Sequence, residues 1–273
     1  MATDLPLAQS HPLSSLPPAT PRVIVTANIA LLLVGVVLLT MPVFAIVSRG
    51  RAGDPDVATR PTTVILGRWI RDWVMWLITP LERSLVASGI TPDALNVLGA
   101  VFGLAAGVAY VRGSTALAGW FILLGGMADI LDGRVARARG LASRYGEFLD
   151  SMLDRFAEVF TFVGLAVYLS VTPAGALAVT LAVGSSLLVS YARAKGDAVG
   201  VACRGGVMQR AERLVLLALA SIFDRSVISA AGWADGTLIF SAVWVIGLGA
   251  LGTALYRTVA IARALRTGNR DAR

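Results

Sequence analysis

The sequence predicts an all-α membrane protein, with an interfacial amphipathic helix, a bundle of six transmembrane helices and one extra N-terminal transmembrane helix. Three observations carry this prediction. Hydrophobic residues make up 56% of the 273 residues and charged residues only 15%, whereas a soluble domain carries about 25% charge. Apolar stretches of membrane-crossing length recur along the chain. Basic residues gather in alternate loops between those stretches, as the positive-inside rule requires.

The N-terminal region divides into three parts. Residues 1–22 are polar and proline-rich, which predicts a disordered tail. Residues 23–47 contain no charge and are long enough to span about 30 Å of hydrocarbon as a helix. Because this stretch starts late and exceeds the apolar core of a signal peptide, we predict a retained transmembrane helix. Residues 48–67 form the predicted linker.

The next segment, Arg68 to Gly89, has a different character. Trp69, Trp73 and Trp76 recur at helical spacing with charged residues between them. Such aromatic-rich amphipathic helices lie in the plane of the membrane interface. A soluble linker helix is the less favoured alternative, because three exposed tryptophans in eight residues would be costly in water.

Six further spans follow within a predicted catalytic domain of residues 68–263, before a cytoplasmic tail of residues 264–273. The spans are 93–111, 115–131, 148–171, 174–192, 213–223 and 237–262. The fifth of these, 213–223, is short and can be extended back to Val207.

Charge placement predicts the orientation of these spans. Only Arg112 and Arg225 lie in the loops of one side, and the other side carries Arg49, Arg51, Arg60, Arg134, Arg137, Arg139, Arg144, Arg193, Lys195, Arg204, Arg210, Arg213, Arg257, Arg263 and Arg266. This bias predicts seven spans in total, with the N-terminus outside and the C-terminus in the cytoplasm.

Composition limits the chemistry that the protein can perform. The chain has one cysteine, Cys203, and therefore no intrachain disulfide. Its one histidine, His11, lies in the predicted tail. A histidine-based metal site or a Ser-His-Asp triad is therefore not expected.

Four aspartates lie at the predicted cytoplasmic ends of the second and third core helices. Asp129 and Asp132 share one helical stripe, and Asp150 and Asp154 share another, because residues three or four apart face the same way. A short turn between antiparallel helices would bring the two stripes together. Small residues on the same stripes, which are Gly133, Ala136 and Gly146, would permit close approach of a helix or a ligand.

Four facing carboxylates repel one another and require a compensating positive charge. Arginines nearby supply part of it. Ligands that offer only oxygen favour a hard cation, Mg²⁺ or Mn²⁺. Four carboxylates suit two ions, an arrangement typical of phosphoryl-group chemistry. Solvated helix caps and surface ion pairs are the plainer alternative, and the combined spacing with Gly and Ala favours the functional interpretation.

These residues form the pattern D-x2-D-G-x2-A-R-x8-G-x3-D-x3-D between Asp129 and Asp154. The pattern resembles the signature of the CDP-alcohol phosphotransferase family at every motif position. The resemblance covers about residues 69–262 and implies an interfacial helix followed by six transmembrane helices. It also implies the reaction, in which an alcohol hydroxyl attacks the β-phosphorus of a CDP-linked lipid and CMP leaves.

The resemblance assigns roles to individual residues. It implies that Asp129, Asp132 and Asp150 hold metal, and that Asp154 is a further ligand and the general base. It places the CDP-lipid against Asp129, Gly133, Ala136, Arg137, Pro92 and Asn96. Asn96 stands where the family usually has threonine, in a stretch that otherwise resembles the entry to the family's first helix.

Residues 190–214 resemble, without a gap, the corresponding region of bacterial phosphatidylinositol-phosphate synthases within this family. Several cations at the predicted cytoplasmic end suit an acceptor that itself carries a phosphate. The resemblance assigns this phosphate to Arg193, Lys195, Arg210 and Arg213, and inositol 1-phosphate is the best candidate. Ordinary positive-inside arginine is the alternative explanation of these residues.

Several alternatives stay open at this point. Glycerol 3-phosphate would use a similar pocket, which would make the protein a phosphatidylglycerophosphate synthase. A non-catalytic or ion-transporting membrane protein would also carry intramembrane carboxylates. A membrane prenyltransferase would use a different Asp-rich spacing. We expect CDP-diacylglycerol, an alcohol and the lipid bilayer of the inner cell membrane as partners, no nucleic acid, and a homodimer as one possible assembly.

Overall fold

The computed structural model describes residues 21–49, 54, 57 and 67–268, and every regular element among them is an α-helix. The helices are α1 (Pro21–Val47), α2 (Arg68–Ser88), α3 (Pro92–Val111), α4 (Thr115–Ala138), α5 (Arg144–Leu169), α6 (Pro173–Ala198), α7 (Arg210–Ala231) and α8 (Thr237–Thr267). The all-α prediction is confirmed. Residues 1–20, most of the linker and residues 269–273 lie outside the described part of the chain.

Local signals explain where these helices begin and end. Thr91, Ser143 and Thr172 cap the N-termini of α3, α5 and α6, because each side-chain oxygen accepts a hydrogen bond from a backbone N–H of the first turn. Gly89 and Gly232 end α2 and α7 in the left-handed conformation, which glycine adopts without steric cost. The predicted boundaries of α1, α2, α3 and α5 agree with the observed ones to within four residues.

Several boundaries differ from the prediction. Helix α4 ends at Ala138 rather than at residue 131, and α6 ends at Ala198 rather than at residue 192. Helix α7 runs from Arg210 to Ala231, well beyond the apolar window of residues 213–223. Helix α8 continues to Thr267, into the predicted tail, and ends at Gly268 with a φ of 69°. Helix α1 begins at Pro21, inside the segment predicted as disordered.

Four helices are long and apolar enough to cross a membrane, namely α3, α4, α6 and α8. The chain is accordingly a multi-pass membrane protein. Helices α5 and α7 have sufficient length but carry charges along their first turns, and α1 has a shorter apolar part, residues 34–47, among the described residues. It remains a prediction that α1 and the six helices from α3 to α8 all cross the bilayer.

The bundle is organised around α3, which packs along both α4 and α5. Helix α6 packs along α8, and α7 joins the two groups by contacting α4 and α8. The largest side chains of the shared core are fully buried and come from α3, α5 and α8: they are Tyr110, Leu165, Ile239 and Ile246. This arrangement brings the first turn of α3, the last turns of α4, and the first turns of α5 and α7 to one end of the bundle.

Close contact between α3 and α5 depends on glycine. A Cβ built at Gly164 would overlap the backbone of Gly107, and a Cβ at Gly107 would overlap the carbonyl of Phe160. Because backbone rather than a flexible side chain lies in the way, the helices cannot relieve this overlap without separating.

We expect Gly164→Ala to destabilise the protein by about 1–3 kcal/mol, the usual cost of overpacking a close contact. The measurement is thermal unfolding in detergent. Gly184→Ala is the matched control, because Gly184 lies in helix α6 with nothing within 4 Å of its Cβ position. An equal loss of stability in both variants would contradict this account of the α3–α5 contact.

Candidate active site

Three carboxylates converge at the end of the bundle described above. Oxygens of Asp129 and Asp132 on α4 and of Asp150 on α5 lie within 4.8 Å of one another. Asp132 is buried, whereas Asp129 and Asp150 are half-buried. Helices α4 and α5 touch each other little, and α3, which packs against both, sets their separation. The two aspartate stripes therefore lie close together, as expected, and α3 holds them in place by packing against both helices.

Asn96 lies in the first turns of α3 and joins the two aspartate stripes. With its amide nitrogen turned toward the carboxylates, it donates to Asp150 Oδ1 at 3.2 Å and also to Asp132 Oδ2. Only 8% of Asn96 is exposed. The resemblance implied a nucleotide contact for this residue. The structure places it against two predicted metal ligands, where its N–H donors offset part of the repulsion between the two carboxylates.

Asp154 lies one turn beyond Asp150 on α5 and is held by an arginine from α7. Arg210 Nη2 lies 2.6 Å from Asp154 Oδ1, and its Nη1 lies 2.8 Å from Asp129 Oδ2. The fourth aspartate is therefore connected to the carboxylate cluster by one guanidinium. Of the predicted acceptor-phosphate residues, Arg210 is the one in direct contact with the aspartates.

The predicted nucleotide contacts line the outer end of α4 and the start of α3. The N–H of Gly133 donates to the Asp132 carboxylate, and a Cβ at Gly133 would lie 3.2 Å from Arg137 Nη1. Arg137 is exposed and Ala136 is half-buried. Pro92 begins α3 and is half-buried. These four residues keep their roles as predictions.

The remaining acceptor residues occupy two different environments. Arg193 and Lys195 are exposed at the end of α6, where Arg193 Nε lies 4.0 Å from Asp197 Oδ2. Arg213 is only 2% exposed, and its Nε and Nη2 both donate to Glu158 Oε1, at 2.9 and 2.8 Å. A buried carboxylate thus engages the guanidinium of Arg213, and its direct contact with the acceptor phosphate stays a prediction.

Two residues that sequence reasoning missed organise this region. Glu158 is 3% exposed and continues the stripe of Asp150 and Asp154 by one more turn, which is the signal that could have revealed it. Arg257 on α8 is 4% exposed and donates to the carbonyls of Val189 and Gly205, each at 2.9 Å. It holds the loop that precedes Arg210, and no sequence pattern identified it.

A pocket opens beside the aspartates between α3, α4, α5 and α7. Glycines, apolar side chains such as Phe121 and Leu214, and polar groups line it together. Its lining includes Asn96, Gly103, Gly125, Asp129, Asp154 and Arg210. The donor set of the adjoining cluster consists of carboxylate oxygens, which fits a hard divalent cation such as Mg²⁺ or Mn²⁺. Carboxylates, a guanidinium and a pocket together can bind and orient a phosphate ester.

Comparison with known proteins agrees with this geometry. Residues 89–246 match the family model described as CDP-alcohol phosphatidyltransferase. The phosphatidylinositol phosphate synthase of Streptomyces avermitilis is 33% identical over 232 residues, which cover 80% of this chain and 89% of that protein.

Solved structures show the same fold. The phosphatidylinositol phosphate synthase of Mycobacterium tuberculosis in complex with manganese and citrate superposes with a TM-score of 0.59 at 25% identity, covering 67% of this chain and 88% of that one. The same enzyme with CDP-DAG bound gives a TM-score of 0.59 at 24% identity, over 68% of this chain and 94% of that one. With the complete aspartate pattern, the family match and the shared fold, the chain belongs to the CDP-alcohol phosphatidyltransferase family.

Proposed function

We propose that this protein transfers a phosphatidyl group from CDP-diacylglycerol to the hydroxyl of a phosphorylated polar alcohol, with inositol 1-phosphate as the best candidate. CMP is the second product, and the reaction serves phospholipid biosynthesis. The observation that carries the proposal is the convergence of Asp129, Asp132 and Asp150 within 4.8 Å, next to Asp154, inside the family's motif. The name of the Streptomyces avermitilis relative supports the choice of acceptor.

Asp129, Asp132 and Asp150 would hold the metal, with Asp154 as a further ligand, and four carboxylates are enough for two ions of Mg²⁺ or Mn²⁺. A divalent cation bound there supplies charge that neutralises the diphosphate and stabilises departing CMP. Asn96 keeps Asp132 and Asp150 at fixed separation through its amide. Because second-sphere hydrogen bonds orient metal ligands, this contact prepares the cluster for its cation.

The chain's own residues perform the rest of the chemistry. Asp154 takes the proton of the acceptor hydroxyl while the hydroxyl oxygen forms a bond to the β-phosphorus. The bond between that phosphorus and the bridging oxygen breaks, and the electron pair leaves with CMP. Gly133 and Ala136 carry little or no side chain, which lets the nucleotide approach the backbone of α4. Arg137 extends from the same face toward the phosphates.

Arginines at the same end of the bundle favour an acceptor that carries a phosphate. Arg210 reaches the aspartates, and Arg193 and Lys195 are exposed at the end of α6. Guanidinium groups bind phosphate through paired hydrogen bonds. Glycerol 3-phosphate presents the same phosphate group, so phosphatidylglycerophosphate synthesis is the second candidate. The positive-inside bias supports a location in the inner cell membrane with the site on the cytoplasmic face.

An acceptor screen tests the proposal. Purified protein with CDP-diacylglycerol and Mg²⁺ or Mn²⁺ is offered inositol 1-phosphate, glycerol 3-phosphate, inositol and serine, and labelled CMP and lipid products are measured. We expect CMP release to depend on metal and to be fastest with inositol 1-phosphate. Release with none of the four acceptors would contradict transferase activity and leave an ion-binding membrane protein as the better description.

Two arginine variants separate acceptor binding from structural support. We expect Arg193→Ala to raise the acceptor KM about tenfold without a change in thermal stability, since one charge-assisted phosphate contact contributes about 1.5–3 kcal/mol. Arg213→Ala is expected to lower the free energy of unfolding by about 3 kcal/mol, the lower end of the cost of breaking a buried pair, because Glu158 then keeps only Arg155, at 3.6 Å. Steady-state kinetics and thermal unfolding distinguish the two. An unchanged KM in Arg193→Ala would remove Arg193 from the acceptor pocket.

A further inference from the structure

The N-terminal helix α1, which precedes the residues matched by the family model, is packed against the interfacial helix α2. Thr40 Oγ1 accepts a hydrogen bond from Trp73 Nε1 at 2.9 Å. Phe44 is 6% exposed and lies between Trp69 and Trp76. Its ring centroid is 5.6 Å from that of Trp69 and 5.7 Å from that of Trp76. The tryptophans of α2 thus face a helix of the same chain.

Asp54, one of the described residues between α1 and α2, contacts both α2 and α4. The Asp54 N–H donates to Asp72 Oδ1 on α2 at 3.0 Å, and Asp54 Oδ2 lies 2.9 Å from Arg134 Nη1. The Nε of Arg134 lies 2.6 Å from Glu82 Oε2, also on α2. The three side chains of Asp54, Glu82 and Arg134 are between 12% and 18% exposed. We call these three residues the Arg134 cluster.

The position of the Arg134 cluster connects it to the metal site. Arg134 follows Asp132 by two residues on α4, and the apolar side chains around it, Leu131 and Val135, already pack against Ile78 on α2. Apolar packing is non-directional, whereas paired charges require a defined geometry. Burying such pairs adds little net stability, because desolvation offsets the attraction. The cluster therefore contributes orientation more than stability.

We propose that Arg134 is a positioning residue, and that Asp54 and Glu82 act through it to fix the carboxylate-bearing end of α4 relative to the interfacial helix. This inference rests on the proposed metal site. In this arrangement the N-terminal extension sets the distance between the aspartates and the membrane surface where a lipid substrate arrives. Glu82 connects α2 to Arg134 directly, and Asp54 adds a second connection because it contacts both Asp72 on α2 and Arg134.

The test uses the full chain in lipid nanodiscs. Mn²⁺ affinity is measured by electron paramagnetic resonance, together with kcat, KM for CDP-diacylglycerol and thermal unfolding. We expect Asp54→Asn and Glu82→Gln each to weaken Mn²⁺ binding and to lower kcat by about tenfold, the lower end of outer-sphere effects. Asp54→Glu, which keeps the carboxylate, should recover most of both. Asp235→Asn, in the exposed loop at the opposite end, is the matched control.

The outcomes separate this inference from the proposed function. If Asp54→Asn and Glu82→Gln change only the unfolding temperature, or change nothing, the cluster is merely structural and the inference is wrong. Asp132→Asn is measured in parallel. Loss of Mn²⁺ binding in Asp132→Asn but not in the cluster variants overturns the inference alone, whereas unchanged binding in all of them overturns the metal site as well.

Discussion

Asp132→Asn is expected to abolish tight Mn²⁺ binding and to lower kcat about a thousandfold. Asp132 is the most buried member of the carboxylate cluster, at 4% exposure, and it receives hydrogen bonds from Asn96 and from the Gly133 N–H. Asparagine keeps the size of the side chain but removes its charge. A metal contributes several kcal/mol to charge stabilisation in the transition state, which corresponds to a rate effect of this size.

Mn²⁺ titration followed by electron paramagnetic resonance measures the binding, and CMP release measures turnover. Glu147→Gln is the matched control, because Glu147 is an exposed carboxylate in the first turn of α5. We expect that variant to bind Mn²⁺ and turn over like the unmodified protein. Intact Mn²⁺ affinity in Asp132→Asn would mean that the cluster binds its cation elsewhere.

Asp154→Asn is the second change with a large expected effect. As the general base, Asp154 should contribute about 10²- to 10⁴-fold to kcat. Asp129, Asp132 and Asp150 remain in this variant, so binding of Mn²⁺ and of a CDP-lipid analogue should persist. Arg210 also keeps its contact with Asp129, at 2.8 Å, which preserves the start of α7.

Pre-steady-state CMP release and equilibrium binding of CDP-diacylglycerol separate the two functions of Asp154. A large loss of turnover with nearly normal binding supports the role of base. Parallel losses of binding and turnover would instead make Asp154 mainly a metal ligand or a structural residue. Asp150→Asn serves as the comparison, since its loss is expected to weaken binding and turnover together.

The sequence was most informative where chemistry and helical periodicity coincide. The spacing of Asp129, Asp132, Asp150 and Asp154 predicted two facing stripes, and three of these carboxylates do converge. The Trp-rich amphipathic pattern likewise predicted α2 to within one residue. Both predictions depend only on which residues share one helix face, a property that a single chain segment determines.

Residues whose role depends on a distant partner could not be assigned in this way. Arg213 looks like any cytoplasmic arginine in the sequence, and its burial follows from Glu158, 55 residues earlier. The length of α7 was underestimated for a similar reason. Its polar end is stabilised by contacts with the following helix, where Asp224 accepts hydrogen bonds from the N–H groups of Gly236 and Leu238 at the start of α8.

Asn96 and Arg134 show the same limit at the site itself. Asn96 departs from the threonine usual at its position, and only the structure reveals that its amide lies between two carboxylates. Arg134 resembled part of the loop charge, and only the fold brings Asp54 and Glu82 to it. A pairing between segments far apart in sequence leaves no periodic signal in either segment.

The buried pair between Glu158 and Arg213 has a consequence for biogenesis. Each charged residue near the centre of an isolated helix disfavours release from the translocon into lipid by about 2.5–3.5 kcal/mol. Glu158 lies near the middle of α5, whereas its partner Arg213 lies in the first turn of α7, so the cost falls mainly on α5. If α5 spans the bilayer as predicted, we expect its stable integration to depend on the later synthesis of α7, which supplies the charge that pairs with Glu158.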